Sequence, residues 1–153
     1  MTIVRCVEIG LTIPDNEART ALATLQRLGV PVAALERADV YRCHVQEAEA
    51  DRLGTTFRSV ETLFNPNKHA LHVRAGERPV AGEIWIGELP AGGRRETVAD
   101  VRIGGRILPG ISTLERFTSW RLTSAGAPAD RSLLKAAEET LLCNPAFQKA
   151  TTA

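Results

Sequence analysis

The residues that could act in catalysis are few and lie far apart along the chain. His69 and His72 are three positions apart, and Cys43 is adjacent to His44. Successive side chains of a strand point to opposite faces, so neither pair converges on one substrate or metal ion. A catalytic site needs a nucleophile with its base, paired carboxylates or a set of metal ligands. We therefore expect no catalytic residue, no metal site and no cofactor.

One segment, Ala-Gly-Gly-Arg-Arg at 91–95, could bind an anion through free backbone amides and guanidinium groups. It lacks the Lys-Ser/Thr of a phosphate-binding P-loop and the spaced glycines of a dinucleotide-binding turn. An exposed hairpin loop is the simpler interpretation. An enzyme that uses Arg94 and Arg95, with His69 or His72, on a phosphorylated substrate is an open alternative.

The chain contains an internal repeat. Residues 35–66 align without a gap with residues 114–145, at a constant offset of 114 − 35 = 79. Of these 32 positions 11 are identical, whereas ordinary composition gives roughly two. The offset of 79 gives a unit of about that many residues, which is too long for a solenoid or propeller repeat of ~20–50 residues. The repeat indicates one small domain duplicated within the chain.

The first copy shows clear signals for its elements. Apolar and polar residues alternate over 7–13, which predicts a half-buried strand. Pro14 and Asp15 end this strand and cap a helix, whose apolar residues recur over 18–28 and which ends at Gly29.

A second strand or a bent pair of strands is predicted over 32–46, a second helix over 50–64 and a short closing strand over 71–73. Asn65-Pro66 ends the second helix, because proline has no amide hydrogen and disfavours helical angles in the residue before it.

The second copy is degenerate in its first half. Residues 84–86 predict a strand and 90–93 a turn, and 94–101 are compatible with a helix but lack an apolar stripe. From Ile111 the pattern resumes with a strand and then a helix that ends at Asn144-Pro145.

We predict an α+β fold made by tandem duplication of a small β-α-β-α-β unit, with antiparallel sheets and helices on one face. The first repeat covers 1–75, the linker 76–79, and the second repeat 80–153. A unit this small is marginally stable alone. We therefore expect the two copies to pack through their sheets as a pseudo-dimer within one chain.

Composition limits the partners. The net charge of +1 and the aromatic content of 5% do not favour a nucleic-acid-binding surface. No apolar run approaches the ~18 residues of a membrane span. The three cysteines show no C-x-x-C spacing, which favours reduced thiols. We expect a cytoplasmic protein without nucleic-acid or membrane partners.

Four stretches together carry a family resemblance: Val7–Asp15, Ala21–Gly29, Leu35–Tyr41 and Glu61–Pro66. In this order and spacing they resemble the PurS subunit family of phosphoribosylformylglycinamidine synthase. The resemblance covers residues 3–74 and returns over 111–145.

The resemblance implies a role. PurS is a non-catalytic subunit that pairs through its sheets and docks the glutaminase subunit onto the synthetase subunit in purine biosynthesis. The large single-chain synthase begins with a domain similar to a fused PurS dimer, which two tandem copies would match. We therefore expect an accessory subunit that bridges glutaminase and synthetase subunits. Its pseudo-dimers would be free to dimerise further.

The repeated polar residues are the candidate interface residues: Arg37, Arg42, Asn65, Arg116, Arg121 and Asn144. Helix termination alone also explains the two Asn-Pro pairs. Besides the enzyme that uses Arg94 and Arg95, two alternatives for the function stay open. One is a small-molecule-binding regulatory α+β domain, and the other is a PurS-like protein outside the purine pathway.

Overall fold

The computed structural model describes residues 1–89, 101–103 and 106–153. These residues form two compact units. Unit 1 contains Met1–Ile13, Asp39–Glu77 and the described residues of Gly92–Arg116, and unit 2 contains Pro14–Ala38, the described residues of Arg78–Ala91 and Phe117–Ala153. Each unit takes residues from both predicted repeats, so neither unit coincides with 1–75 or with 80–153.

The strands are β1 (Thr2–Leu11), β2 (Ala34–Gln46), β3 (His69–Arg74), β4 (Glu83–Glu88), β5 (Val101–Ile103), β6 (Arg106–Leu108), β7 (Ile111–Ser124), β8 (Ala127–Pro128) and β9 (Gln148–Thr152). The α-helices are α1 (Asn16–Arg27), α2 (Leu53–Arg58) and α3 (Arg131–Ala137). A 3₁₀ turn at Glu47–Arg52 leads into α2, and a π-helical turn at Glu138–Leu142 follows α3. The predicted α+β class is confirmed, with an antiparallel sheet and three α-helices in the described residues.

Unit 1 has the strand order β3-β1-β2-β7 and also holds the β5–β6 hairpin. Strands β1 and β3 are antiparallel, with Cys6 opposite Arg74 and Leu11 opposite His69. Helix α2 buries Leu53 and Phe57. The core of this unit consists of Val7, Ile9, Tyr41, Cys43, Val45, Leu53, Phe57, Val60, Leu108 and Ile111.

Unit 2 has the strand order β2-β7-β4-β9. Strand β4 is antiparallel to both of its neighbours, with Glu83 opposite Arg121 and Glu88 opposite Gln148. Helices α1 and α3 pack on these strands. The core of this unit consists of Ala18, Leu25, Val30, Val32, Leu35, Ile84, Ile86, Trp120, Leu122, Ala129, Leu134, Ala137 and Leu142.

Helix α1 forms as its sequence predicts. The Asp15 carboxylate accepts hydrogen bonds from the backbone N–H groups of Glu17 and Ala18, at 3.0 and 3.2 Å. These donors have no partner inside the helix, so the cap stabilises its first turn. Gly29 follows the last turn with a φ of 87°, a conformation that glycine adopts without steric cost.

The predicted helix over 50–64 is wrong in extent. Its first residues form the 3₁₀ turn, and α2 ends at Arg58. Gly54 and two threonines lower the helix propensity, and the Ser59 hydroxyl donates to the Thr56 carbonyl at 2.7 Å, which competes with the helix. Val60 instead donates to the carbonyl of Phe57 in a tight turn.

Three further differences concern strand limits and the second copy. Strand β1 begins at Thr2 and ends at Leu11, two residues before the predicted end. Strand β9 was not predicted. Of the segment 94–101, residues 94–100 lie outside the described residues, and Val101 begins β5.

Gly82 occupies a position in unit 2 that only glycine fits. Its φ is 82°, and a Cβ atom there would lie 2.9 Å from Cβ of Pro128 and 3.0 Å from the Leu122 carbonyl oxygen. The Leu122 N–H donates to the Gly82 carbonyl at 2.8 Å, so the backbones of these two residues are in direct contact.

Candidate functional site

The four candidate interface arginines lie on β2 and β7 and make ion pairs within their own unit. In unit 1, Arg42 binds the Glu115 carboxylate with two hydrogen bonds, Nε to Oε1 at 3.2 Å and Nη2 to Oε2 at 3.0 Å. Its Nη1 donates to the Glu77 carbonyl at 3.3 Å. The two side chains are 25% and 24% exposed. This forked geometry holds both side chains more firmly than a single contact would.

Arg116 makes the second set of contacts in unit 1. Its guanidinium carbon lies 5.9 Å from the centroid of the Tyr41 ring, and its Nη2 is 3.3 Å from the Asp39 carboxylate. This distance allows a cation–π interaction. Burial raises the pKa of Tyr41, while the positive charge of Arg116 acts in the opposite direction. Tyr41 is therefore the neutral, buried partner of an exposed cation.

Arg37 contacts two carboxylates and an aromatic ring in unit 2. Its Nε and Nη2 donate to the two oxygens of Asp15 at 3.0 and 3.2 Å, and its Nη1 also pairs with Glu17. Its guanidinium carbon lies 6.0 Å from the centroid of the Trp120 indole. Because Asp15 caps α1, Arg37 ties the start of this helix to β2.

Arg121 contacts two carboxylates in unit 2. Its Nη2 is 3.1 Å from Oε2 of Glu83, and its Nη1 is 3.9 Å from Glu36. The side chain of Glu83 is fully buried. Glu83 also accepts hydrogen bonds from the Val80 backbone N–H at 2.8 Å and the Ser119 hydroxyl at 3.3 Å.

These contacts are reciprocal with respect to the sequence repeat. The residues that make these contacts form four pairs of repeat equivalents, each pair separated by 79 positions. The pairs are Arg37 and Arg116, Tyr41 and Trp120, Arg42 and Arg121, and Glu36 and Glu115. In unit 1 an arginine of the second copy lies on the aromatic ring of the first copy, and in unit 2 the roles are exchanged. The Arg–Glu pairs are also exchanged, at 3.0 Å for Arg42 with Glu115 and at the longer distance of 3.9 Å for Arg121 with Glu36.

The two candidate asparagines build equivalent turns. The side-chain oxygen of Asn65 accepts the N–H of Asn67 at 2.9 Å, and that of Asn144 accepts the N–H of Ala146 at 3.0 Å. These are Asx turns, which end the helical region before each Pro. Asn65 and Asn144 therefore have a structural role in the turns that precede β3 and β9.

The backbone N–H of Asn65 has a side-chain acceptor on β3. It donates to His69 Nδ1 at 2.9 Å. In the other turn, the N–H of Asn144 donates to Gln148 Oε1 at 2.9 Å. A glutamine thus does in the second copy what a histidine does in the first.

We predict that His69→Gln leaves the free energy of unfolding within about 0.5 kcal/mol of wild type, because glutamine supplies the same acceptor. His69→Leu should lower it by about 1 kcal/mol, since the Asn65 N–H loses its acceptor. Urea denaturation measures both values. His72→Leu, on the same strand but exposed, is the matched control. Equal losses for the Gln and Leu variants at 69 would contradict this assignment.

The remaining candidates are not brought together. His72 lies opposite Glu8 across the β1–β3 pair, and His44 contacts the Thr113 hydroxyl. Arg94 and Arg95 lie outside the described residues. The described ranges contain no group of three or more His, Cys, Asp or Glu side chains that could hold a metal ion. None of the helices described is long and apolar enough to cross a membrane.

The three cysteines differ in burial. Cys6 and Cys43 are buried, and Cys143 is partly exposed. Burial raises the pKa of Cys6 to about 11, although Arg42 and Arg74 act in the opposite direction. Burial also raises the pKa of Cys43.

We predict that iodoacetamide at pH 8 modifies Cys143 first in the native protein. With a pKa of about 11, roughly one Cys6 thiol in a thousand is ionised at pH 8, and only the thiolate reacts. Mass spectrometry of tryptic peptides over time measures this order. The Cys143→Ala variant should stay unlabelled until urea is added. Native labelling of Cys6 as fast as that of Cys143 would contradict the described burial.

Sequence reasoning missed Glu83 and Ser119. The local signal for Glu83 is weak, since a carboxylate just before the apolar run Ile84–Ile86 looks like an exposed strand end. Its burial depends on Ser119 and Arg121, which are 36 and 38 residues away along the chain.

No protein-family model matches the chain, and no curated protein matches it.

Proposed function

We propose that this chain is a non-catalytic assembly subunit of a phosphoribosylformylglycinamidine synthase. In this proposal the chain is a tandem duplication, and its two PurS-like copies pair as a pseudo-dimer. It bridges the glutaminase and synthetase subunits and so supports ammonia transfer between them. The proposal predicts that the chain acts through protein contacts and has no catalytic residue or cofactor of its own.

The order of elements supports the duplication. At the offset of 79, each of four elements in the first copy falls on an element of the same type in the second copy: β1 on β4, β2 on β7, α2 on α3, and β3 on β9. The Asx turns before β3 and β9 have the same hydrogen bonds. Two copies of one ancestral unit would produce this correspondence.

The reciprocal contacts carry the proposal. In a two-fold symmetric dimer, a residue of the first subunit contacts a second residue of its partner, and the exchanged contact also occurs. Arg42 with Glu115 and Arg121 with Glu36 form such a set. Arg116 on Tyr41 and Arg37 on Trp120 form another. A fused pair of subunits accounts for both sets.

Among the six candidate interface residues, Arg116 is best placed to contact a partner. Its side chain is 65% exposed, and its carboxylate partner Asp39 is 40% exposed. A surface pair of this kind contributes at most about 1 kcal/mol to stability. Arg116 can therefore be exchanged with little risk to the fold.

The test mixes this chain with purified glutaminase and synthetase subunits, magnesium, ADP and glutamine. Light scattering measures the mass of the complex, and the same samples are assayed for glutamine-dependent amidine formation. We expect a ternary complex whose activity is lost when this chain is omitted. Full activity without the chain, and no complex with it, would refute the assembly role.

Two variants then locate the contact surface. Arg116→Glu reverses an exposed charge among the six candidates, and we expect it to weaken the complex roughly tenfold or more. Lys149→Glu reverses an exposed charge outside this set and is the matched control. Thermal melting of both variants checks that each remains folded. Equal binding by Arg116→Glu and Lys149→Glu would mean that Arg116 is not part of the contact surface.

A further inference from the structure

Unit 1 contains a cavity of about 630 Å³ beside α2. One wall comes from the 3₁₀ turn and α2, and the other from residues 107–109, at the end of β6. A volume of ~300–1,000 Å³ is typical of small-molecule sites. The residues of this cavity belong to unit 1 alone.

The described residues near the cavity differ between the two copies. At the offset of 79, α1 corresponds to residues 95–106, and the described residues in that range, 101–103 and 106, belong to strands β5 and β6. Unit 2 contains helix α1, whereas these residues of unit 1 are in two strands that pair with each other.

Two opposite charges face the cavity. Glu49 and Arg52 are three residues apart in the 3₁₀ turn, and residues with this spacing lie one above the other. Within the described part of the chain, neither side chain lies within 4.0 Å of an opposite charge. The cavity thus presents an acceptor and a donor that do not neutralise each other.

The position of Glu49 is fixed by a glycine. Gly110 has a φ of 73°, and a Cβ atom there would lie 2.7 Å from Cγ of Glu49. The Gly110 carbonyl accepts the Gln46 N–H at 2.8 Å, which anchors this loop. The aliphatic stem of Glu49 therefore packs on the Gly110 backbone at the edge of the cavity.

The rest of the lining divides by polarity. Hydroxyl groups come from Thr55 and Thr56 in α2 and from Ser59 just after it, and exposed apolar surface comes from Ile107 and Pro109. Charges of both signs beside an apolar wall match a ligand with a carboxylate, an ammonium group and an apolar side chain.

We propose that this cavity binds a free α-amino acid with an apolar side chain. Arg52 binds the carboxylate, Glu49 binds the ammonium group, and Ile107 and Pro109 contact the side chain. The site is independent of the assembly role, and it gives the protein a means to sense a metabolite.

The test titrates the full chain with L-leucine, using calorimetry and ¹H–¹⁵N NMR. We expect a Kd on the order of 1 mM, because an open site leaves part of a small ligand in water. Chemical-shift changes should be confined to 46–60 and 107–111. The analogues 4-methylpentanoate, which lacks the ammonium group, and 3-methylbutylamine, which lacks the carboxylate, should each bind at least roughly tenfold more weakly.

Variants assign the two charges. Arg52→Gln should remove the preference for leucine over 3-methylbutylamine, and Glu49→Gln should remove its preference over 4-methylpentanoate. Arg58→Gln is the control, because Arg58 lies in α2 but outside the cavity lining, and this variant should bind leucine like wild type. Three results would each overturn the proposal. They are the absence of leucine-dependent chemical-shift changes at millimolar concentrations, equal affinity for leucine and both analogues, and an unchanged affinity for leucine in Arg52→Gln and Glu49→Gln.

Discussion

Replacing Arg121 by leucine is expected to lower the free energy of unfolding by about 2–4 kcal/mol. Glu83 is fully buried, and its Oε2 lies 3.1 Å from Nη2 of Arg121 within unit 2. Removing one member of a buried ion pair takes compensation away from the buried charge that stays, which costs more than the pair itself contributes. Arg121 is 43% exposed, so water already weakens its attraction to Glu83. We therefore expect the loss of stability to lie toward the lower end of the range that is usual for a broken buried pair.

The carboxylate can be neutralised to separate charge from packing. Glu83→Gln keeps an oxygen that accepts the Val80 N–H, and it leaves Arg121 partly in water, so we expect a loss of about 1 kcal/mol. The double variant Glu83→Gln, Arg121→Leu should be more stable than Arg121→Leu alone, because the buried group at position 83 is then neutral.

Urea denaturation near pH 7 measures these differences. Arg116→Leu is the matched control, because it removes an arginine from an exposed pair and should cost at most about 1 kcal/mol. Equal losses of stability in Arg121→Leu and Arg116→Leu would contradict the expected contribution of the contact between Arg121 and Glu83.

The parts of the fold that depend on local signals could be predicted from the sequence. Asp15 caps α1 and Gly29 ends it, because both residues act on backbone groups within a few positions. Apolar and polar residues alternate in β1 and β2 because one face of each strand is buried, and this alternation predicted both strands. The offset of 79 also pointed to the arginines that make the reciprocal contacts, although it could not assign their partners.

The composition of the two units could not be predicted. Strand β2 contributes Ala34–Ala38 to unit 2 and residues 39–46 to unit 1. In unit 1 the Gln46 N–H donates to Gly110, and in unit 2 the Ala33 N–H donates to Thr123. No local pattern distinguishes these distant partners from partners within the same repeat.

Strand β9 and helix α2 show two other limits of sequence patterns. Gln148–Thr152 carries little apolar alternation, and its only signal was the offset that places it on the residues of β3. In α2, the spacing of Leu53, Phe57 and Val60 is helical, but it does not reveal where the hydrogen bonds change from helix to turn.

Phe57→Ala is expected to lower the free energy of unfolding by about 3–5 kcal/mol. The Phe57 side chain is fully buried in the core of unit 1, and its ring centroid lies 5.5 Å from that of Tyr41. Truncation to alanine removes this apolar burial and leaves a cavity that the surrounding strands fill only partly. For a chain of this length, the melting temperature should fall by roughly 10 °C.

Phe147→Ala is the control, since it makes the same chemical change at a side chain that is 51% exposed. It should stay within about 1 kcal/mol of wild type. Phe57 also anchors α2, which contains Thr56 and is followed by Ser59. Phe57→Ala should therefore weaken leucine binding at the cavity as well. A loss of less than 1 kcal/mol in Phe57→Ala, or similar losses in both variants, would mean that α2 is not anchored in the core as described.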